Sequence, residues 1–157
     1  MPSRPLTLNR VLREGDMDNE VKVTNAYIAE MDQTLGFSAL FKKPVKDVHL
    51  RYWMGRFKEK LSQRGRDYGR TRTETMMEFA QKDDSGVVYE LDESGKKSNN
   101  PVIGNPLGFR IEMNKLMDIG FGLEIPKFKI KMTDIPDDWT AEDLYILSPL
   151  LDVEGVE

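Results

Sequence analysis

Apolar positions recur every three or four residues over two long stretches in the N-terminal half, which is the spacing of one α-helical face. The first set is Val21, Thr24, Ile28, Met31 and Leu35, and the second is Leu50, Trp53, Phe57, Leu61, Tyr68, Met76 and Phe79. Pro44 separates them, and proline cannot continue a helix. The pattern predicts a helical hairpin of residues 17–41 and 45–79. Gly65 and Gly69 are weak points of the second helix, since each costs about 1 kcal/mol relative to alanine.

The hydrophobic period changes beyond this hairpin, where strand and turn signals replace the helical pattern. Residues 87–91 lie between turn sequences at 84–86 and 92–95 and are typical of a short strand. Residues 121–132 alternate between apolar and polar or small side chains and form the clearest strand signal. Pro126 within them indicates an edge position or a bulge.

Two short helices are predicted in the C-terminal half. The first covers residues 107–119, with Gly120 as its C-cap. The second begins at a capping box formed by Thr140 and Asp143 and ends at 148–149.

Together these elements predict an α+β fold: a long N-terminal helical hairpin packed on a small antiparallel sheet, with two short C-terminal helices. The sheet is expected to contain both 121–132 and 87–91. We expect one domain over residues 16–150, an N-terminal arm over 1–15 and an acidic C-terminal tail over 151–157. The predicted core residues are Trp53, Phe57, Leu61, Phe109, Leu116, Ile125, Phe128 and Leu144.

Charge is distributed unevenly along the chain, although the net charge is only -4. Residues 42–72 contain eleven basic and three acidic side chains, so this segment carries +8. The remainder of the chain carries -12, and no basic residue follows Lys131. The asymmetry predicts that the basic segment binds an acidic surface or a polyanion.

Six residues in and near the arginine-rich part of the second helix are the candidate partner-binding residues: Lys58, Arg64, Arg66, Tyr68, Arg70 and Arg72. Arginine suits phosphate and carboxylate groups, and tyrosine can stack on a base. The segment would contact nucleic acid, contact an acidic protein surface, or form a solvated face matched to the chain's own acidic block. Because a helix of about 50 Å outreaches a core of about 26–30 Å, residues 64–72 are expected to project. The 152–157 tail of a second copy, or a different subunit, would dock there.

Several kinds of catalytic or metal site are excluded by composition. The chain has no cysteine and one histidine, so it lacks a thiolate zinc site, an iron–sulfur cluster and a cysteine nucleophile. His49 lies two residues from Asp47, and residues two apart on a helix face different directions, so a surface role is expected. No cofactor or metal is predicted. No apolar run reaches the roughly 18 residues that span a bilayer, so no membrane contact is expected.

Two motifs carry a family resemblance. Residues 109–117 contain Phe-x-x-Glu-Met-Asn-Lys-Leu-Met, and residues 140–147 contain Thr-x-x-Asp-Leu-x-x-Leu. Together with the basic helical half before them, they resemble a group of small, functionally uncharacterised proteins of tailed bacteriophages, from about Gly36 onward. The resemblance implies a phage origin and a non-enzymatic role, in the virion or in the host cytoplasm, and assigns no site residues.

We therefore expect a non-catalytic protein that binds other protein subunits, as a minor virion structural or assembly component and as part of an oligomer or larger complex. The alternative is a phage regulator or inhibitor that binds nucleic acid, or a host nucleic-acid-handling enzyme, through the basic helix. A hydrolase using paired carboxylates is a third class, but no spacing selects a pair.

Overall fold

The computed structural model describes residues 19–154, so the predicted arm over 1–15 and residues 155–157 lie outside the described residues. Helices and small sheets alternate along the chain, which confirms the α+β class. The helices are α1 (Asn25–Asp32), α2 (Gly36–Leu40), α3 (Val48–Glu78), α4 (Pro106–Met117) and α5 (Ala141–Ile146). The strands are β1 (Glu20–Thr24), β2 (Lys82–Asp83), β3 (Gly86–Val87), β4 (Tyr89–Leu91), β5 (Lys97–Pro101), β6 (Gly120–Pro126), β7 (Phe128–Lys131) and β8 (Leu151–Glu154).

Helix α3 confirms the second predicted helix to within three residues at each end. Asp47 caps its N-terminus, accepting hydrogen bonds from the backbone amides of His49 at 2.8 Å and Leu50 at 3.1 Å. Its 31 residues run without a break through Gly65 and Gly69 and extend about 46 Å. The two glycines therefore lower helix propensity without ending the helix.

The first predicted helix, over 17–41, is wrong as a continuous element in its described part. It divides into β1, α1 and α2, so the hairpin of two long helices is not formed. Val21 and Val23 are buried while Lys22 between them is exposed, which is the alternation of a strand. The Thr24 hydroxyl then accepts a hydrogen bond from the Tyr27 amide and starts α1.

The predicted common sheet of 87–91 and 121–132 is also wrong. Within residues 19–154, four two-stranded sheets form instead, pairing β1 with β6, β2 with β3, β4 with β5, and β7 with β8. The first three pairs are antiparallel and the fourth is parallel. The predicted strands 121–132 and 87–91 therefore have different partners, because β6 pairs with β1 and β4 pairs with β5. Residues 121–132 break at Lys127, whose amide donates to the Asn19 carbonyl.

The expected acidic tail begins as a strand. Residues Leu151–Glu154 form β8 beside β7, and Leu151 is buried. The capping box of α5 is confirmed, with the Thr140 hydroxyl accepting from the Asp143 amide and the Asp143 carboxylate accepting from the Thr140 amide.

The core lies between β1, α1, the first half of α3, β6 and the C-terminal segment around α5. Of the eight predicted core residues, Phe57, Leu61 and Ile125 are buried, and Trp53, Phe128 and Leu144 are half-buried against the core. Phe109 and Leu116 are half-buried on α4, a helix whose side chains are all half-buried or exposed. They extend beyond the main core because α4 packs beside the far end of α3.

Candidate interaction site on helix α3

An open groove of about 990 Å³ runs between α1 and α2 on one side and the middle of α3 on the other. Ile28 and Met31 of α1 and Phe37 of α2 contribute one apolar wall, and Leu61 of α3 contributes to the other. Gly65 and Gly69 line the α3 wall without a side chain, and a Cβ at Gly65 would make an ordinary van der Waals contact with the Ile28 side chain at 3.7 Å. The groove forms because two short helices, rather than one long helix, cross this face.

Two cations lie along the α3 side of the groove. Arg66 and Arg72 both line it and are exposed, and on the opposite side the exposed Asp32 carries the facing acidic group. Leu35, in the turn between α1 and α2, is 96% exposed. The site therefore combines an apolar floor with a rim that is cationic on the α3 side.

Tyr68 also lines the groove, but its hydroxyl is already engaged. It donates to the Met117 sulfur of α4 at 3.5 Å, and the ring is half-buried against the core. This packing makes Tyr68 part of the groove wall and leaves it poorly placed to stack on a base, one of the roles predicted for it.

Arg64 and Arg70, two further predicted partner-binding residues, have contacts of their own. The Arg64 guanidinium carbon lies 4.7 Å from the ring centroid of Phe121 on β6, a cation–π arrangement. Arg70 forms an ion pair with Asp67 at 3.1 Å on the exposed surface of α3. Neither residue lines the groove.

The expectation that 64–72 projects freely is wrong in one respect. The Arg64 guanidinium stacks on Phe121 of β6, Gly65 lies beside α1, and Tyr68 contacts α4, so one face of this stretch is covered. The arrangement was not predicted because the expectation depended on the length of the helix, and that length does not show that β6, α1 and α4 pack beside residues 64–68. Arg66, Arg70 and Arg72 remain exposed.

Lys58, the sixth predicted residue, lines a different pocket. This pocket lies at the N-terminal half of α3, and the Lys58 ammonium is 5.7 Å from the ring centroid of Phe41. The six predicted residues thus divide into three at the groove, one at this pocket and two held elsewhere.

Several titratable groups within residues 19–154 have structural partners. His49 is 82% exposed at its side chain and lies 3.8 Å from Asp47. Burial raises the pKa of the Asp143 carboxyl, but hydrogen bonds from Lys43 and Thr140 outweigh this effect and hold the pKa below its ordinary value. Buried Glu20 accepts a hydrogen bond from the Glu124 amide at 2.8 Å, and Glu124 has a φ of 62°.

Among the described residues, no group of three acidic or histidine side chains could hold a metal ion. None of the helices in this part of the chain is long and apolar enough to cross a membrane. Sequence reasoning missed the α1 and α2 wall of the groove and the basic residues Lys46 and Arg51 of the second pocket. Both cations lie in the +8 segment, but the sequence does not show which of its residues converge.

Comparisons with known proteins give no relative from which a role could be taken. No family model, curated protein or solved structure matched this chain.

Proposed function

We propose that this chain is a non-catalytic protein-binding component of a tailed bacteriophage, acting in the virion or in its assembly. The observation that carries the proposal is the groove between α1–α2 and α3, which joins an apolar floor to exposed Arg66 and Arg72. A floor of this kind favours a protein segment with an apolar face. The phage assignment comes from the resemblance of 109–117 and 140–147.

The expected occupant is an amphipathic helix of a partner subunit, with acidic residues beside its apolar stripe. Helices bind in apolar grooves by inserting side chains at i, i+3, i+4 and i+7. Acidic flanking residues would pair with Arg66 and Arg72, while exposed Leu35 would extend the apolar contact at the rim. The chain's own residues 151–154 are not available for this role, because they are paired in β8.

Site-specific photocrosslinking in phage-infected cells tests the proposal. A photoreactive residue at Leu35 is expected to form an adduct with a phage structural or assembly protein that contains such a helix. The double variant Arg66→Glu and Arg72→Glu should lose the adduct while remaining folded, because both side chains are exposed. The control is the same charge reversal at a single exposed residue outside the groove, Arg110→Glu on α4, which should leave the adduct unchanged.

Proteomics of purified particles and of assembly intermediates gives the second readout. The chain should be present in one of them at a fixed ratio to its crosslinked partner. Absence from both, together with adducts that survive the double arginine variant, contradicts the proposal.

A nucleic-acid-binding regulator is the second candidate function. It is favoured by the exposed basic side chains on α3, of which Lys58, Arg66 and Arg72 have no acidic partner within 4.0 Å among the described residues. Binding of DNA or RNA that weakens steeply as salt rises, and that is lost in the double arginine variant, would favour this candidate.

A further inference from the structure

A second pocket, of about 490 Å³, lies where the loop before α3 folds against the N-terminal half of that helix. Four basic side chains line it: Lys43, Lys46, Arg51 and Lys58. Lys43 forms an ion pair with buried Asp143 at 2.6 Å, which neutralises one of the four charges. Lys46, Arg51 and Lys58 have no acidic partner within 4.0 Å in residues 19–154. The pocket therefore has an excess of positive charge.

Two of these three cations are held in place by contacts with the pocket's own walls. The Arg51 guanidinium donates to the Val45 carbonyl at 3.1 Å, and the Lys58 ammonium lies 5.7 Å from the centroid of the Phe41 ring. Neither contact supplies a formal negative charge. Positioned cations of this kind lose less side-chain entropy when an anion binds.

The remaining walls are apolar. Val45 and Met54 are buried, and Phe41 is half-buried between them and solvent. The volume lies in the range of about 300–1,000 Å³ typical of pockets for small organic molecules. The charge and the apolar surface together favour a ligand that has both an anionic group and an organic body.

We propose that this pocket binds a phosphorylated organic ligand, with the phosphate between Lys46, Arg51 and Lys58 and the organic part against Val45 and Met54. A phosphate monoester has about 1.5–2 negative charges and three acceptor oxygens. A carboxylate has one charge and two oxygens, so it would leave more of the cationic excess uncompensated. The phosphate can belong to a free nucleotide or to a nucleic-acid strand. This site is separate from the groove proposed to bind protein.

Titration of the ¹⁵N-labelled protein with ADP and with pyrophosphate, followed by NMR, tests the proposal. Both probes should give saturable shifts of backbone amides in 43–58, and ADP should bind more tightly because its base and sugar contact the apolar wall. The double variant Lys46→Gln and Lys58→Gln should weaken ADP binding at least tenfold, because charged hydrogen bonds are lost. Arg51 is left intact because it also holds the Val45 carbonyl.

The matched control removes two exposed lysines outside the pocket, Lys82→Gln in β2 and Lys96→Gln in the loop before β5, with the same change in net charge. ADP affinity should be unchanged in this control. If the double pocket variant fails to give a dispersed spectrum, Lys46→Gln alone provides the measurement, since Lys46 is exposed.

Competition identifies the source of the phosphate. Displacement of ADP by an oligothymidylate indicates a nucleic-acid backbone, whereas failure of the oligomer to compete indicates a free nucleotide. The proposal is overturned if neither ADP nor pyrophosphate gives saturable shifts, or if the shifts survive the double variant. It is also overturned if a polyglutamate peptide binds the pocket more tightly than ADP. The Lys46→Gln and Lys58→Gln variant should still form the crosslink at Leu35. Loss of ADP binding with the crosslink retained would show that the pocket and the groove act independently, so one proposal can fail without the other.

Discussion

One face of the first half of α3 is buried in the core through Leu50, Met54, Phe57 and Leu61, whereas residues 62–78 of the same helix have only half-buried or exposed side chains. Around the first half, β1, β6 and the α5 segment contribute buried aliphatic residues. Beside the second half lie α4, the groove side of α1 and the Phe121 ring of β6. In α4 and in the short strands β2–β5 that follow α3, Pro101 is the one buried residue. One continuous helix therefore joins a well-packed region to a sparsely packed one. Stability is expected to be concentrated in the first region.

Exposed apolar side chains occur in both regions, and Val48 and Tyr52 on the first half of α3 are 56% and 58% exposed. Leu91, Leu107 and Ile111 all lie in the sparsely packed region and are 47–68% exposed. The groove lies near the boundary between the regions, with its floor on core residues and Arg72 beyond them. A partner bound in the groove would contact both the well-packed region, through the groove floor, and the sparsely packed region, through Arg72.

The largest expected change in the free energy of unfolding comes from truncating a phenylalanine. One phenylalanine is compared in each region. Phe57 is fully buried, so Phe57→Ala should lower the free energy of unfolding by about 3–5 kcal/mol. Phe109 is half-buried on α4, so Phe109→Ala should cost about 1–2 kcal/mol. Urea denaturation monitored by circular dichroism measures both. Equal losses in the free energy of unfolding would show that the two halves of α3 are packed equally well. That result would contradict the distinction between a well-packed and a sparsely packed region.

A second pair contrasts the ionic contacts of the two regions. Asp143 is 5% exposed at its side chain and pairs with Lys43, whereas Asp67 pairs with Arg70 on the surface. Asp143→Asn should cost about 2 kcal/mol at pH 7, because charged hydrogen bonds are lost. Asp67→Asn should cost about 0.2–0.5 kcal/mol, the value of an exposed helical pair.

The pH dependence of the Asp143 effect has a defined sign. The pKa of this carboxyl is lowered in the folded protein, so its stabilisation is present above the unfolded pKa of about 3.9. It is lost as the pH falls through the lower folded pKa. The difference between wild type and Asp143→Asn should therefore shrink in urea titrations at acidic pH. A difference that persists unchanged at pH values below both pKa values would mean that Asp143 acts through packing and not through its charge.

Local signals allowed the sequence to predict α3, α4 and the capping box of α5. Each depends on residues within a few positions of one another, such as the proline before α3 and the Thr140–Asp143 pair. Strands β1 and β8 were missed because their partners, β6 and β7, are distant in sequence. In the site, Arg66 and Arg72 were identified from composition, but the opposite wall of the groove depends on how α1 and α2 pack. That packing has no local signature.

A small gain in stability is expected at Gly69, in the sparsely packed half of α3. A Cβ built there meets no atom within 4 Å outside the helix, so alanine fits without displacement. Gly69→Ala should stabilise the protein by about 0.5–1 kcal/mol through helix propensity.

Gly108→Ala on α4 is the contrasting variant, because its Cβ would lie 2.8 Å from a ring carbon of Phe79 and 2.7 Å from the Asn105 amide nitrogen. It should give no gain in the midpoint of thermal unfolding, whereas Gly69→Ala should raise it by a few degrees. If hydrogen exchange gives a lower opening free energy for 62–78 than for 48–61, and Gly69→Ala raises that lower value, this half of α3 opens separately from the core. Equal opening free energies in the two halves would show instead that α3 unfolds as one unit and that its uneven packing has no energetic boundary.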